Sequence, residues 1–528
     1  MKIRVKYIIL LMFMIAQLRS FAQPQKASPR NEGEGPWEQL IIRGVTLINS
    51  TGAPAMGPVD IVVEKNRITA IRTVGSPGLP INPERRPKLK LGGKELNAEG
   101  MFLMPGFIDM HAHIGGEDKG ADADYVFKLW MAHGITTIRE PGSMNGLDWV
   151  LDQKIKSSRN EITAPRIFAY TVFGQGSANP IYTAEQARSW VRENAKKGAD
   201  GIKFFGASPV VMLAALDENK KLNLRSMAHH AQTDVGRWNA INSAKAGLTS
   251  LEHWYGLPES MFTDRTVQDY TADYNYQNEQ DRFSQAGTLW KQSAAPFSER
   301  WNKVMNDLIS LDFTLDPTFS IYEANRDLTR ARTAEWHPIY TMPKLWDFYS
   351  PSWNSHGSYW HSWGTEQEND WKENYKLWMS FINEYKNKGG RVTVGTDAGF
   401  IYELYGFSYV REMELLREAG FHPLEVIKAA TLNGAQALGL EQDLGSVEVG
   451  KLADFVIVDQ NPLKNLQVLY GTGSIKLTDK NEPVRVGGVK YTIKDGIIYD
   501  AKKLLEEVKE MVAKEKLKSG YIFKQPGS

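Results

Sequence analysis

The sequence predicts an α/β fold, with a (β/α)8 TIM-like barrel in the middle of the chain and a small β-sandwich formed from both termini. Two observations predict it. Residues 105–440 alternate short apolar runs with longer amphipathic stretches, the order of repeated βα units over a parallel sheet. On either side, short alternating segments broken by Gly and Pro have the texture of all-β pieces. The length of 528 residues holds both, since a barrel alone takes about 250 residues or more.

Taken in order, residues 1–22 stand apart. Lys2, Arg4 and Lys6 precede the apolar run Tyr7 to Leu18, and Ser20-Phe21-Ala22 then offers a small-residue cleavage site. The run is shorter than the roughly 20 residues of a spanning helix, so the segment reads as a cleaved signal peptide. The protein is expected to be exported, periplasmic or secreted, with no stable membrane span after cleavage. Losing Lys2, Arg4, Lys6 and Arg19, and no acid, takes the formal net charge from +1 to −3. Residues 23–36, polar with Pro and Gly, read as a linker.

The first part of the β-sandwich is expected at 37–104. LIIRGVTLI and VDIVVEKNRITAIRTV carry strand patterns, the latter with a hairpin turn at Lys65-Asn66-Arg67. The same texture returns at 441–505 in LGSVEVGKLADFVIVDQNP and VGGVKYTIKDGIIYD, and 506–528 reads as a C-terminal helical tail. Within 105–440, eight candidate strands end near His113, Glu140, Thr171, Phe205, His230, His253, Thr318 and Asp397. In such barrels the active site lies at the strand C-terminal ends, where these polar residues gather. The connections 256–305 and 320–370 are long and rich in Trp, Tyr, Asn and Ser, as lids or substrate walls are.

Composition narrows the chemistry. There is no Cys, which removes thiol nucleophiles, Cys-ligated zinc, iron–sulfur clusters and disulfides together. Any metal must be held by His, carboxylate or a modified Lys. The 63 Lys+Arg balance 62 Asp+Glu with no basic stripe, so nucleic acid is not an expected partner.

His111 and His113, spaced i, i+2 after Phe107-Ile108, fall on one face of an extended strand, as two ligands of one metal require. Lys203 lies inside the apolar run Gly201-Ile202-Lys203-Phe204-Phe205, where an unpaired ammonium is costly. Either its stem is buried and its head reaches the strand end, or it is carbamylated by CO2 into an anionic metal ligand. His229-His230 and His253 end successive strands, 23 residues separating His230 from His253. Neighbours in a strand face opposite ways, so one of His229 and His230 can be a ligand and the other belongs to the surrounding shell or core. Asp397, after Val392-Thr393-Val394-Gly395-Thr396, could bind metal and serve as general base and then acid.

MPGFIDMHAH, GITTIRE, GADGIKFF, HHAQ with LEHWYG, VGTDAG, AATLNGAQALGL and GSVEVGKLADFVIVD together resemble the amidohydrolase superfamily of metal-dependent hydrolases, in its imidazolonepropionase-related and prolidase-like branch. The resemblance spans essentially the whole chain beyond the leader. It implies a distorted barrel with a sandwich built from both termini and two divalent metal ions. His111, His113 and Asp397 would hold one ion, and His230 and His253 the other. His230 is preferred to His229 because Ala231 follows it as in the family. Lys203, as N6-carboxylysine, would bridge both ions with a hydroxide that attacks the scissile carbon, and Asp397 would shuttle the proton. Zinc is expected first, manganese, iron and cobalt sharing the same donor types.

The implied activity is hydrolysis of a C–N bond in a small-molecule amide, cyclic amide or peptide, with self-association left open. Many relatives carry Gly-Gly-His at the third strand end, where this chain has TVFGQGSANP, and Asp where it has Glu140. The alternatives are a dipeptidase, a mononuclear deaminase, and a non-catalytic exported protein that stacks ligands on Trp346, Tyr349, Trp353, Tyr359, Trp360 and Trp363. The deaminase reading is weakened by Lys203 and by Ala-Gln-Thr after His230. His133, His337, His356, His361 and His422 belong to no motif and are expected to be structural or surface residues.

Overall fold

The structure is a computed structural model that describes residues 25–353 and 355–524. The leader at 1–22 lies outside the described residues. Residues 25–36 lie against the body of the protein: Ala27 N donates to Gln153 Oε1 at 3.0 Å and Arg30 N to Glu161 O at 2.8 Å.

Eight parallel strands form the central sheet in chain order. They are β6 (Phe107–Asp109), β7 (Ile135–Glu140), β8 (Arg166–Val172), β9 (Gly201–Phe204), β10 (Arg225–Ala228), β11 (Ser250–Glu252), β12 (Thr314–Asp316) and β13 (Arg391–Val392). Strands β7 and β9 are buried at every position, as a parallel sheet covered on both faces requires. The intervening segments carry α1 (Ala123–Ala132), α2 (Leu147–Ser158), α3 (Ala184–Lys197), α4 (Pro209–Lys221), α5 (Ala240–Ala246), α6 (Glu299–Ser310) and α7 (Thr365–Asn387), and α8 (Phe407–Glu418) follows β13. Local sequence sets their ends. Thr183 and Gln186 form a reciprocal cap at the start of α3, and left-handed Gly198 closes it. Just past the strands, Met110 N donates to Val394 O at 2.9 Å and Asp397 N to His111 O at 2.7 Å, joining the segments that leave β6 and β13.

The flanking pieces contribute strands to one sheet. Strands β1 (Gln39–Leu47), β2 (Met56–Glu64), β3 (Arg67–Thr73), β4 (Lys94–Asn97) and β5 (Phe102–Pro105) share one mixed sheet with β14 (Phe455–Val458), β17 (Val489–Lys494) and β18 (Ile497–Asp500) from the far end. A two-stranded ribbon of β15 (Ser474–Leu477) and β16 (Pro483–Val486) completes the strands. Alternation along β5 and β14 splits side chains between two cores. Leu103, Phe455 and Ile457 pack with Leu40, Ile42 and Ile61, while Met104, Val456 and Val458 join the main core. The final helix, α9 (Ala501–Ser519), starts earlier than the sequence pattern suggests because Asp500 caps the amides of Lys502 and Lys503. Among the described residues no helix is long and apolar enough to cross a membrane.

The aromatic-rich connections are packing, not a ligand platform. Tyr349 and Tyr359 are fully buried, Trp346 and Trp360 nearly so, and Phe283 stacks on Tyr359 with ring centroids 3.9 Å apart. Of the six rings proposed to stack on ligands, only Trp353 is classed as exposed.

Candidate metal centre

The strand ladders end before the chemistry begins. β6 stops at Asp109, β10 at Ala228, β11 at Glu252 and β13 at Val392, so the histidines and Asp397 sit on the short segments that follow. Several of those segments are strained: His253, Thr318 and Asp397 have φ of 57°, 49° and 54°. Non-glycine residues adopt that left-handed conformation only where their surroundings enforce it, and such strain collects at functional sites. For His253 the consequence is direct. Glu252 precedes it and faces the buried core, so extended backbone would send His253 the other way, and the positive φ turns it into the centre.

Five of the six residues expected at the site converge. Asp397 is the hub: its Oδ1 lies 3.5 Å from His111 Nε2 and 3.3 Å from His113 Nε2, and its Oδ2 lies 3.6 Å from His253 Nε2. Lys203 Nζ is 3.3 Å from His111 Nε2. The imidazole centroids of His111 and His113 are 5.3 Å apart, and those of His111 and His253 are 5.2 Å apart.

His230 is the exception. Its ring is fully buried away from the cluster, with Nε2 3.1 Å from Ser243 Oγ, which itself accepts from Trp238. The adjacent His229 takes the inward place, 4.6 Å from the His253 ring. Register explains the correction. Met227 pairs with Lys203 across β10 and β9, and a side chain two residues on, at 229, returns to the Lys203 face. Position 230 is on the opposite face. Burial depresses the His230 pKa to about 4 with no contribution from the centre, whereas His229 is held down by burial and by the charges of His253 and Lys203.

Around this cluster sit groups that orient it. Glu140, singled out in the sequence only as a departure from relatives, places Oε1 3.1 Å from His113 Nδ1 and accepts the amides of Ile114 and Gly142. Asp109 accepts from His111 N, Thr396 N and Thr396 Oγ1, fixing the His111 and Asp397 segments to each other. Glu252 Oε2 lies 3.3 Å from His111 Nδ1 and is held by the Arg139 guanidinium at 2.9 Å. Sequence reading missed Arg139, Glu252 and Asp316, although charged residues inside apolar strands were a usable signal. Gly395 is required by close approach, since a Cβ there would meet Asp316 Oδ2 at 2.2 Å.

Electrostatics favour cation binding. Burial pushes the Asp397 carboxyl up, yet the imidazoles of His111, His113 and His253 prevail and hold it well below the usual carboxylate range. Burial, with the charges of Lys203, His113 and Arg139, keeps His111 neutral. Burial also lowers the Lys203 ammonium, against the attraction of Asp397 and Glu252. The donors fit a divalent metal. His111, His113 and Asp397 offer ligand atoms within 4.8 Å of one another, and the buried Nε2 atoms of His229 and His253 have no hydrogen-bond partner. A second trio, His111, Glu252 and Asp316, is equally close, but Arg139 already lies among those acids, 2.9 Å from Glu252 and 3.6 Å from Asp316.

Comparison with known proteins bears on the family and the fold. Residues 378–498 match the amidohydrolase family. The chain is 38% identical over 77 residues to 5'-deoxyadenosine deaminase of Methanobrevibacter smithii, which is 13% of this chain and 18% of that protein. It is 40% identical over 67 residues to imidazolonepropionase of Brevibacillus brevis, 13% of this chain and 16% of the relative. The chain therefore matches less than a fifth of the length of these curated relatives. Among solved structures, bottromycin amidohydrolase superposes with a TM-score of 0.60 at 16% identity, covering 91% of each chain, which speaks for the fold. The family match, the curated relatives and the fold are each consistent with the amidohydrolase superfamily.

Proposed function

We propose that the protein is a metal-dependent hydrolase of a C–N bond, an amide or cyclic amide, working where His111, His113, Lys203, His229, His253 and Asp397 converge. The observation that carries this is the set of buried, unpartnered imidazole nitrogens around an ionised Asp397. His111, His113 and Asp397 would hold one divalent ion and His229 and His253 a second, with zinc the first choice for these donors. Lys203 suits both. Its burial favours the free amine, which can add to CO2 with loss of a proton, and the resulting carbamate would offer anionic oxygen donors to such ions.

When bound, such ions polarise a carbonyl oxygen and lower the pKa of water toward about 7. The chain's own residues supply the rest. Asp397, held as a carboxylate, accepts the proton of the attacking water at an Oδ and returns it to the leaving nitrogen. Glu140 holds the His113 ring by its Nδ1, leaving Nε2 toward the centre, and Glu252 Oε2 stands 3.3 Å from His111 Nδ1. The parallel sheet reads as a closed, distorted barrel, supported by the Met110–Val394 and His111–Asp397 hydrogen bonds, and the mixed sheet as the sandwich domain of both termini. Residues 1–22 fit a cleaved export signal, which mass spectrometry of the mature amino terminus after secretion would check.

The test is metal analysis combined with a screen of N-acyl amino acids, dipeptides, cyclic imides and lactones. Two metal ions per chain and amide hydrolysis abolished in Asp397→Asn are expected. Full activity in Lys203→Ala, or one metal at saturation, would remove the binuclear form; ammonia release from an aminated heterocycle in place of amide cleavage would favour a deaminase.

A further inference from the structure

The loop that follows the first pair of histidines carries a buried cation that the proposed chemistry does not use. Lys119 ends a short 3-10 turn, Glu117–Lys119, and is 5% exposed. Its place is fixed from both sides. Gly116 and Ala121 exchange backbone hydrogen bonds of 3.0 and 3.1 Å across the turn, and Lys344 Nζ donates to Glu117 O at 2.7 Å. Gly115 and Gly120 are both left-handed, and a Cβ on Gly115 would meet Ala121 O at 1.9 Å. The backbone of the turn is thus held in place, and with it the root of the Lys119 side chain.

The ammonium is linked to the metal centre through an aromatic ring. Lys119 Nζ lies 3.2 Å from the centroid of Phe400 and 5.2 Å from that of Phe348, and the Phe400 ring stands 6.1 Å from that of His113. Phe400 comes three residues after Asp397. Burial disfavours the Lys119 charge, and the groups that oppose this are Asp118, Asp397 and Glu140, two of them from the centre itself. Yet among the described residues no carboxylate comes within ion-pair distance of Lys119, which rests on aromatic faces alone. A buried, unpaired ammonium is costly, and divalent ions beside it would make it more so. An anion brought by the substrate offsets both.

Across the centre, Arg282 is a weaker candidate for the same task. Its nearest carboxylate is Glu279 at 3.7 Å, its Nε is buried without a partner, and its guanidinium lies over Tyr276 and Phe283. Glu279 already offsets its charge.

We propose that Lys119 binds a free carboxylate on the substrate, so that the bond cleaved belongs to an N-acyl amino acid or dipeptide and not to a neutral lactam, lactone or heterocycle. This rests on the hydrolase reading above. In such substrates the carboxylate stands one carbon from the leaving nitrogen, beside the scissile carbonyl, and Lys119 meets the centre through Phe400, whose ring stands 6.1 Å from that of His113.

The experiment uses the metal-loaded full chain with a panel of N-acetyl-L-amino acids and L,L-dipeptides, each paired with its C-terminal amide. Wild type should prefer the acid. Lys119→Met should raise KM for the acid by roughly thirtyfold or more while kcat and the constants for the amide stay near wild type, and Lys119→Arg should restore most of the preference. Circular dichroism and metal content of each variant separate loss of fold from loss of contact. Equal losses on acid and amide, or a preference abolished by Arg282→Met and kept by Lys119→Met, would overturn the assignment. If wild type cleaves only the cyclic imides or lactones of the wider screen, the assignment is overturned while the hydrolase reading stands; if it cleaves neither set, the hydrolase reading falls, and Lys119 is judged by calorimetry. Acid-selective binding of an N-acetyl-amino acid that disappears in Lys119→Met supports it, and binding that ignores the carboxylate or the substitution rejects it.

Discussion

Two buried polar clusters lie next to each other inside the parallel sheet, and they differ in what they leave unsatisfied. In the inner one, Arg139 donates to Met110 O, Ser250 Oγ and both oxygens of Glu252, and Thr393 Oγ1 donates to Asp316. Burial and the neighbouring Glu252 carboxylate push the Asp316 carboxyl well above its usual range, so it sits neutral. In the outer cluster, at the strand ends, Asp397 is ionised and imidazole nitrogens of His229 and His253 have no partner. Burial is similar in both. The inner cluster also leaves Asp316 Oδ2 unpaired, so what marks the outer one is the combination of an ionised carboxylate with several unpartnered imidazole nitrogens around it.

The sharpest way to break this contrast is Asp397→Asn. It keeps shape and removes the charge on which three imidazoles depend, and kcat should fall by about a thousandfold or more, with global stability nearly unchanged. A variant that unfolds but keeps its turnover per folded molecule would mean the outer cluster is structural. The complementary substitution is Arg139→Met. It strips the counter-charge from Glu252 in the inner cluster, and the buried acid left behind should cost about 3–5 kcal/mol in denaturant unfolding. A loss under 1 kcal/mol would show that the inner cluster is not held by that pair.

A finer comparison sets His229 against His230. Alanine at 229 should lower metal affinity by about 10-fold or more, read by equilibrium dialysis, whereas alanine at 230 should leave stoichiometry intact and weaken only packing around Ser243 and Trp238. The reverse outcome would restore the assignment suggested by family resemblance.

This pair also shows what was legible in the sequence. The His111–His113 spacing, the lysine inside GIKFF and the aspartate after VTVGT were readable because each breaks an apolar strand pattern. The eight-strand order and the mixed sheet from both ends followed from the same alternation. The choice between two adjacent histidines depended on a register that no local pattern displays, since a shift of one residue exchanges the faces. His253 was legible as a ligand candidate, but the left-handed backbone that turns it inward was not. Glu140, Arg139 and Glu252 act across strands far apart in sequence, and the aromatic loops looked like ligand platforms because burial cannot be read from composition.

The last contrast is between His253 and His337. Both are buried, but His337 has both ring nitrogens engaged, Nδ1 with Thr341 Oγ1 at 2.9 Å and Nε2 with Ala331 O at 3.0 Å. Burial lowers its pKa to about 4, partly opposed by the Ala331 carbonyl. A histidine depressed in the folded state binds its proton more readily when unfolded, so its contribution to stability is present above pH ~6.5 and is lost as pH falls toward about 4. Between pH 7 and pH 5 that amounts to about 2 kcal/mol. His337→Asn should lower stability at pH 7 through its lost hydrogen bonds while flattening the pH dependence by this amount, measured by urea unfolding at both values in metal-free protein. An unchanged slope would mean that His337 takes up its proton equally in the folded and unfolded chain, and that full hydrogen bonding is then no guide to which buried imidazoles are inert.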